Sequence, residues 1–158
     1  MLIVGCGNPD RADDAAGLLV ARRLHELEMD AREHTGDMLA LMDEWSSEEE
    51  VILVDAVVSG AAPGMITAWD AHHASLPPDC FPCSTHALGV AEAVELARAL
   101  GRLPHRLMVY GIEAANFEPG GPLSPEVRAA VERLAQNIAA AVNRKRFVNF
   151  HPIAFDLR

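Results

Sequence analysis

One stretch of the chain restricts its fold more than any other. Residues 51–58 read VILVDAVV, a β-branched and apolar run that only Asp55 interrupts. A strand that is apolar on both faces is typical of the centre of a parallel sheet, where helices cover each side. The sequence therefore predicts an α/β domain with a carboxyl group inside its central strand.

Segments with strand and helix patterns alternate along the rest of the chain. We predict further strands at residues 2–6, 31–35, 64–69 and 106–112. We predict helices at residues 13–29, 38–45, 86–100 and 125–146. This alternation predicts a single-domain, mostly parallel twisted sheet of about five strands with helices on both faces. We assign residues 1–146 to this domain and residues 147–158 to a C-terminal extension without an assigned role.

The composition disfavours several classes of protein. Half of the 158 residues are hydrophobic and 23% are charged, which is typical of a globular chain. No apolar run reaches the roughly 18–20 residues of a spanning helix, and the first residues lack the basic segment of a signal peptide. The net charge of −10 disfavours nucleic acids and anionic membranes as partners. With three cysteines and no secretion signal, we expect a cytoplasmic protein with reduced thiols. We also expect the protein to be a monomer.

Polar side chains gather where the predicted strands end, which is where open α/β sheets bind ligands. Asp14 follows the first strand, Asp55 lies near the end of the 51–58 strand, and His86 opens a predicted helix. Others at these ends are Asn8, Asp10, Asp13, Glu113, Asn116 and Glu118. Two carboxylates and an imidazole could bind a divalent metal ion. Asp14 and His86 could also be ordinary first-turn residues, whereas an unpaired carboxylate in an apolar strand is costly to bury.

Two other motifs are weaker. Residues 5–10 begin like a dinucleotide-binding loop, but Asp10 replaces its third glycine and Pro9 has no amide proton for a phosphate. Cys80 and Cys83 have the CxxC spacing of a zinc or redox site, without a second such pair. The chain contains neither G-x-S-x-G nor H-E-x-x-H, which disfavours a serine hydrolase and a zincin. We therefore expect no nucleotide and no essential thiol pair.

The order of several short motifs resembles that of the hydrogenase maturation proteases. These motifs are GCGN at 5–8, DDAAG at 13–17, VDA at 54–56, STHALG at 84–89, VYGI at 109–112 and LSPEV at 123–127. The resemblance spans residues 2–142 and implies a peptidase for [NiFe] hydrogenases. Such an enzyme removes the C-terminal peptide of the large-subunit precursor after nickel insertion. Ala15 replaces a usual glycine, and Gly36 is the one glycine in a turn that is commonly glycine-rich.

The resemblance also implies roles for three residues. Asp14, Asp55 and His86 match the family's acidic and histidine positions, so we expect them to be both the catalytic residues and the metal ligands. The implied activity is that of an aspartyl-type endopeptidase, and the implied metal is nickel carried by the substrate rather than a resident cofactor. Two alternatives remain open from the residues alone. One is a non-catalytic nickel-sensing checkpoint or chaperone for a hydrogenase precursor, and the other is a different small metallohydrolase on the same scaffold.

Overall fold

A computed structural model describes residues 1–45, 49–81 and 88–147. Its strands are β1 (Leu2–Cys6), β2 (Ala31–His34), β3 (Glu50–Val57), β4 (Ile66–Asp70) and β5 (Arg106–Glu113). Its α-helices are α1 (Ala16–Glu26), α2 (Met38–Glu44), α3 (Val90–Ala99) and α4 (Pro125–Phe147). The strands form one sheet in the order β2-β1-β3-β5-β4, in which β4 pairs antiparallel with β5 and the other pairs are parallel. The prediction of a single-domain, mostly parallel α/β fold is confirmed.

Two apolar clusters, one on each face of the sheet, explain why β3 is hydrophobic throughout. Val51 and Leu53 pack in the cluster beneath α2 and α3. Ile52 and Val54 point to the opposite face and pack in the cluster beneath α1 and α4. Burying a side chain of this size stabilises a fold by about 1.5–3 kcal/mol, so both faces of the strand contribute. None of the described helices combines the length and the apolar character that a membrane span requires.

Two glycines bring α1 into direct contact with the sheet. A β-carbon on Gly17 would lie 2.3 Å from the carbonyl oxygens of Cys6 and Val54, and one on Gly5 would lie 1.9 Å from the carbonyl oxygen of Gly17. Side chains at these positions would collide with backbone atoms. The pair therefore allows α1 to begin directly over the carboxyl ends of β1 and β3. The short 3₁₀ turn Ala12–Ala15, which precedes α1, is placed at the same edge.

The starts of two helices differ from their predictions. The helix predicted from Asp13 is a 3₁₀ turn up to Ala15, and α1 proper begins at Ala16. The helix predicted from His86 begins at Val90, because Gly89 is its extended N-cap with φ −77° and ψ 177°. Glycine loses much conformational entropy inside a helix, which favours its position outside the first turn. The prediction of an N-cap at residue 84 or 85 falls outside the described residues, as do residues 148–158, so the domain boundary at 146 stays a prediction.

Candidate active site

Asp13 is a structural clamp rather than a candidate ligand. Its fully buried carboxylate accepts hydrogen bonds of 2.7–2.9 Å from the backbone N–H groups of Ala115, Asn116 and Ser124 and from the Ser124 hydroxyl. Burial would raise the Asp13 pKa, but these hydrogen bonds outweigh burial and lower it. The clamp therefore stabilises an ionised Asp13 and joins the first loop to the loop between β5 and α4.

Asp14 has different surroundings from its neighbour. The Asp14 side chain is almost completely buried. Among the described residues its ion-pair partner is Arg11, whose Nη1 lies 3.7 Å from the Asp14 Oδ2. Burial raises the pKa of Asp14, and the positive charge of Arg11 offsets part of that rise. A buried carboxylate with one distant cationic partner keeps lone pairs that a ligand can use. Asp14 is thus better suited to binding than Asp13.

Asp55 lies near the carboxyl end of β3 and is 7% exposed. Its Oδ1 accepts a hydrogen bond of 2.9 Å from the backbone N–H of Ala56. Burial raises the pKa of Asp55 to about 8, the negative charge of Asp14 contributes to the rise, and the Ala56 N–H opposes it. Asp14 and Asp55 are thus electrostatically coupled across the ends of β1 and β3. At neutral pH Asp55 is mainly a carboxylic acid, which a nearby cation would cause to ionise.

The third residue of the predicted site, His86, lies outside the described residues. The two members of the predicted set that the structure describes, Asp14 and Asp55, interact electrostatically. Within residues 1–45, 49–81 and 88–147, no group of three or more His, Cys, Asp or Glu side chains is arranged to hold a metal ion. The three-residue ligand set therefore stays a prediction.

Two further side chains at this edge of the sheet, Cys6 and His34, are buried or already have hydrogen-bond partners. The Cys6 thiol is fully buried, and its pKa is raised well above its usual value by burial and by the charges of Asp55 and Glu44. A thiol kept protonated in this way is a poor nucleophile. His34 pairs with Cys6 in the register of β1 and β2, and its Nδ1 and Nε2 lie 2.6 Å from the Glu44 Oε1 and 3.1 Å from the Asp37 carbonyl oxygen.

The polar residues at the end of β5 also hold loops in place. The buried Glu113 carboxylate accepts hydrogen bonds from the backbone N–H groups of Ser59 and Gly60 and from the Ser59 hydroxyl. Asn116 accepts a hydrogen bond from the backbone N–H of Glu118 through its Oδ1. The loops after β3 and β5 are therefore ordered by carboxylate and amide side chains that the sequence had placed among the candidate ligands.

Arg11 is the site residue that the sequence analysis missed. Its guanidinium carbon lies 5.6 Å from the centre of the Phe117 ring, and its Nη1 faces Asp14. This geometry combines a cation–π contact with an ion pair on a half-buried side chain. The three-residue spacing between Arg11 and Asp14 in a turn was the available sequence signal.

Comparison with known proteins identifies the family. The model of the hydrogenase maturation proteases matches residues 35–141. The chain belongs to this family. It is 27% identical over 154 residues to the hydrogenase 2 maturation protease of Escherichia coli (strain K12), and the match covers 90% of each chain.

Solved structures of family members agree with the fold. The [NiFe] hydrogenase maturation protease HybD from Thermococcus kodakarensis has a TM-score of 0.69 at 26% identity, covering 89% of this chain and 97% of that chain. The hydrogenase maturating endopeptidase HybD from E. coli has a TM-score of 0.69 at 27% identity, covering 91% and 92%. The predictions of the family and of a peptidase are confirmed. Membership in a protease family favours peptidase activity over the two alternatives, a non-catalytic nickel-sensing checkpoint and a different small metallohydrolase.

Proposed function

We propose that this maturation protease removes the C-terminal peptide from a [NiFe] hydrogenase large-subunit precursor after nickel has been inserted. The names of its relatives support a role in hydrogenase maturation. The observation that carries the finer proposal is the coupled pair of buried carboxyl groups, Asp14 and Asp55. They lie at the carboxyl edge of a largely parallel sheet, which is the usual ligand-binding edge of this architecture.

The pair is suited to a cation that arrives with the substrate. Because the pKa of Asp55 is about 8, binding of a metal ion at neutral pH must displace its proton. The cost of displacing this proton is the same for a free ion and for a nickel ion held by a precursor, but the precursor can offset it through its other contacts with the protein. A nickel ion already held by the precursor has its own ligands and needs only to be contacted. Nickel is therefore part of the substrate in this proposal, and His86 is the third group that contacts it.

Asp55 is the residue on which the proposed activity depends most. Hydrolysis of a peptide bond needs an activated water and a proton for the leaving nitrogen. A carboxyl group that titrates near the working pH can exchange such protons as well as contact a metal ion. We assign this dual capacity to Asp55, and we assign Asp14 to contact with the nickel of the precursor.

Processing of a purified precursor tests the proposal. The precursor is prepared with and without nickel, and release of its C-terminal peptide is followed by mass spectrometry. We expect cleavage of the nickel-loaded form only, and we expect Asp14→Asn, Asp55→Asn and His86→Gln each to slow it at least about 100-fold, or about 2.7 kcal/mol. The control is Asp10→Asn, an exposed residue of the same loop, which should stay within about threefold of the parent.

Two results would contradict the proposal. Equal cleavage of the nickel-free precursor would remove nickel recognition. Cleavage at the parental rate by a folded Asp55→Asn variant would remove the assigned site.

A further inference from the structure

Arg11 occupies a position between an aromatic ring and the first carboxylate of the site. Its guanidinium lies against the Phe117 ring on one side and faces the Asp14 Oδ2 on the other. We propose that Arg11 is a specificity-determining residue whose guanidinium pairs with Asp14 in the free protein and keeps free divalent cations away from the carboxyl pair. This inference rests on the proposed function of Asp14 and Asp55.

The fold itself fixes the Arg11 backbone beside Asp14. The Asp14 N–H donates a hydrogen bond of 2.9 Å to the Arg11 carbonyl oxygen. The loop that carries Phe117 is joined to the same turn by the four hydrogen bonds of Asp13. The backbones of Arg11 and of the aromatic residue beside it therefore belong to one hydrogen-bonded unit.

Charge explains how Arg11 would discriminate between cations. Among the residues that the structure describes, Arg11 is the cation recorded against Asp14, and none is recorded against Asp55. A free divalent ion that binds Asp14 must displace the guanidinium or lie beside a like charge, and both weaken binding. A nickel ion within a precursor has ligands that reduce its effective charge and additional contacts that favour docking. Arg11 therefore repels the nickel ion of a precursor less than it repels a free divalent ion.

When the precursor binds, the Arg11 guanidinium has a second position available, against the ring of Phe117. The face of Phe117 already contacts it and would continue to bind it after Asp14 is released. Displacement of Arg11 from Asp14 therefore requires a side-chain rotation but no movement of the clamped backbone. Arg11 would thus lower the affinity for free ions without preventing contact with the nickel of the precursor.

Titration of the protein with NiCl₂ by calorimetry tests this role without the precursor. We expect Arg11→Gln to bind Ni²⁺ at least about tenfold more tightly than the parent. The matched control is Arg22→Gln, which removes the same charge from the outer surface of α1, where Arg22 pairs with Glu33, and should leave the affinity unchanged. In an Asp14→Asn background, removing Arg11 should change the Ni²⁺ affinity less than about threefold, because the carboxylate that pairs with Arg11 is absent.

Several results separate failure of this inference from failure of the proposed function. Equal Ni²⁺ affinities of the parent and Arg11→Gln overturn the role of Arg11, as does undetectable binding by a folded Arg11→Gln variant. An undiminished effect of Arg11→Gln in the Asp14→Asn background also overturns it. In the processing assay, free NiCl₂ should inhibit Arg11→Gln at concentrations that leave the parent active. Processing by Asp14→Asn at the parental rate would instead contradict the proposed function.

Discussion

Asp13, Asp14 and Asp55 are all nearly inaccessible to solvent, and their hydrogen-bond partners give them different properties. Asp13 accepts four hydrogen bonds, which stabilise its anion. Asp55 accepts one from the backbone, and its pKa is about 8. A buried carboxylate with few donors is unfavourable as an anion. Among the described residues, Asp55 has fewer donors than Asp13 and no recorded cationic partner such as the Arg11 of Asp14, and it is the carboxyl group that we assign to the reaction.

We expect Asp55→Asn to stabilise the protein at neutral pH, by an amount that grows with pH. The pKa of Asp55 is about 8 in the folded state and near 3.9 in the unfolded chain. Below about pH 4 both states hold the proton, and between about pH 4 and pH 8 the folded state must retain a proton that the unfolded state releases. The contribution of Asp55 to parental stability therefore falls as the pH rises through this range, whereas asparagine does not titrate.

Urea unfolding of both proteins from pH 5 to pH 9 measures this difference. The advantage of Asp55→Asn should increase by several kcal/mol up to about pH 8 and then remain constant. Asp10→Asn is the control and should show no such trend. A uniform loss of stability in Asp55→Asn at every pH would mean that the carboxyl group holds the structure together.

The local sequence pattern identified Asp55, whereas Asp14 was separated from Asp13 by the family resemblance and not by its surroundings. Asp55 interrupts an apolar strand, so its unusual position is visible within a few residues. The donors to Asp13 are more than 100 positions away along the chain, in the loop that follows β5. Arg11 was missed for a similar reason, because its contact with Phe117 depends on the same distant loop.

At the level of elements, the order of strands and helices followed from local hydrophobic patterns, whereas the starts of α1 and α3 did not. The run at 51–58 predicted β3 to within one residue at each end, because both of its faces are buried. The starts of α1 and α3 were wrong because tertiary contacts decide between a 3₁₀ turn and an α-helix, and because Gly89 is extended. Local periodicity contains no information about either choice.

We expect Gly17→Ala to destabilise the protein by at least about 2 kcal/mol, because the new β-carbon would meet two backbone oxygens at 2.3 Å. The resulting shift of α1 would move Asp14 relative to Asp55 and reduce processing of the precursor. Urea unfolding and the processing assay measure the two effects. Gly36→Ala is the matched control, since its β-carbon would come no closer than 3.8 Å to the neighbouring His34 ring, and it should change stability by less than about 0.5 kcal/mol. Unchanged stability of Gly17→Ala would show that α1 can move away without cost.

At the level of the whole molecule, the Asp13 clamp joins the first loop of the domain to the last. It connects residue 13 with residues 115, 116 and 124. Contacts between such distant segments constrain the chain more than local ones do, because they close a long loop. The clamp also carries Phe117, so the environment of Arg11 depends on it.

We expect Asp13→Asn to destabilise the protein by about 2–4 kcal/mol, since an amide removes the charge and offers N–H groups to donors. Ser124→Ala should cost only about 1 kcal/mol, because it removes the hydroxyl donor and leaves the backbone bonds. Urea unfolding at pH 7 compares the two. The Asp13 pKa is lowered in the folded state, so its contribution is present above about pH 4 and is lost as the pH falls through that lower value. A loss in Asp13→Asn no larger than in Ser124→Ala would contradict the clamp.

The position of β5 in the sheet has a consequence for synthesis of the chain. It is the last of the described strands along the sequence, yet it lies between β3 and β4 and pairs with both. During translation, β4 has no partner among the described strands until residues 106–113 have left the ribosome, and the edge of β3 that pairs with β5 has no described partner until then. Residues 115–124 must follow before the Asp13 carboxylate meets its donors. A nascent chain therefore acquires the hydrogen-bond donors of Asp13 only after most of the domain has been synthesised, so the turn that carries Asp14 takes its final position late in translation.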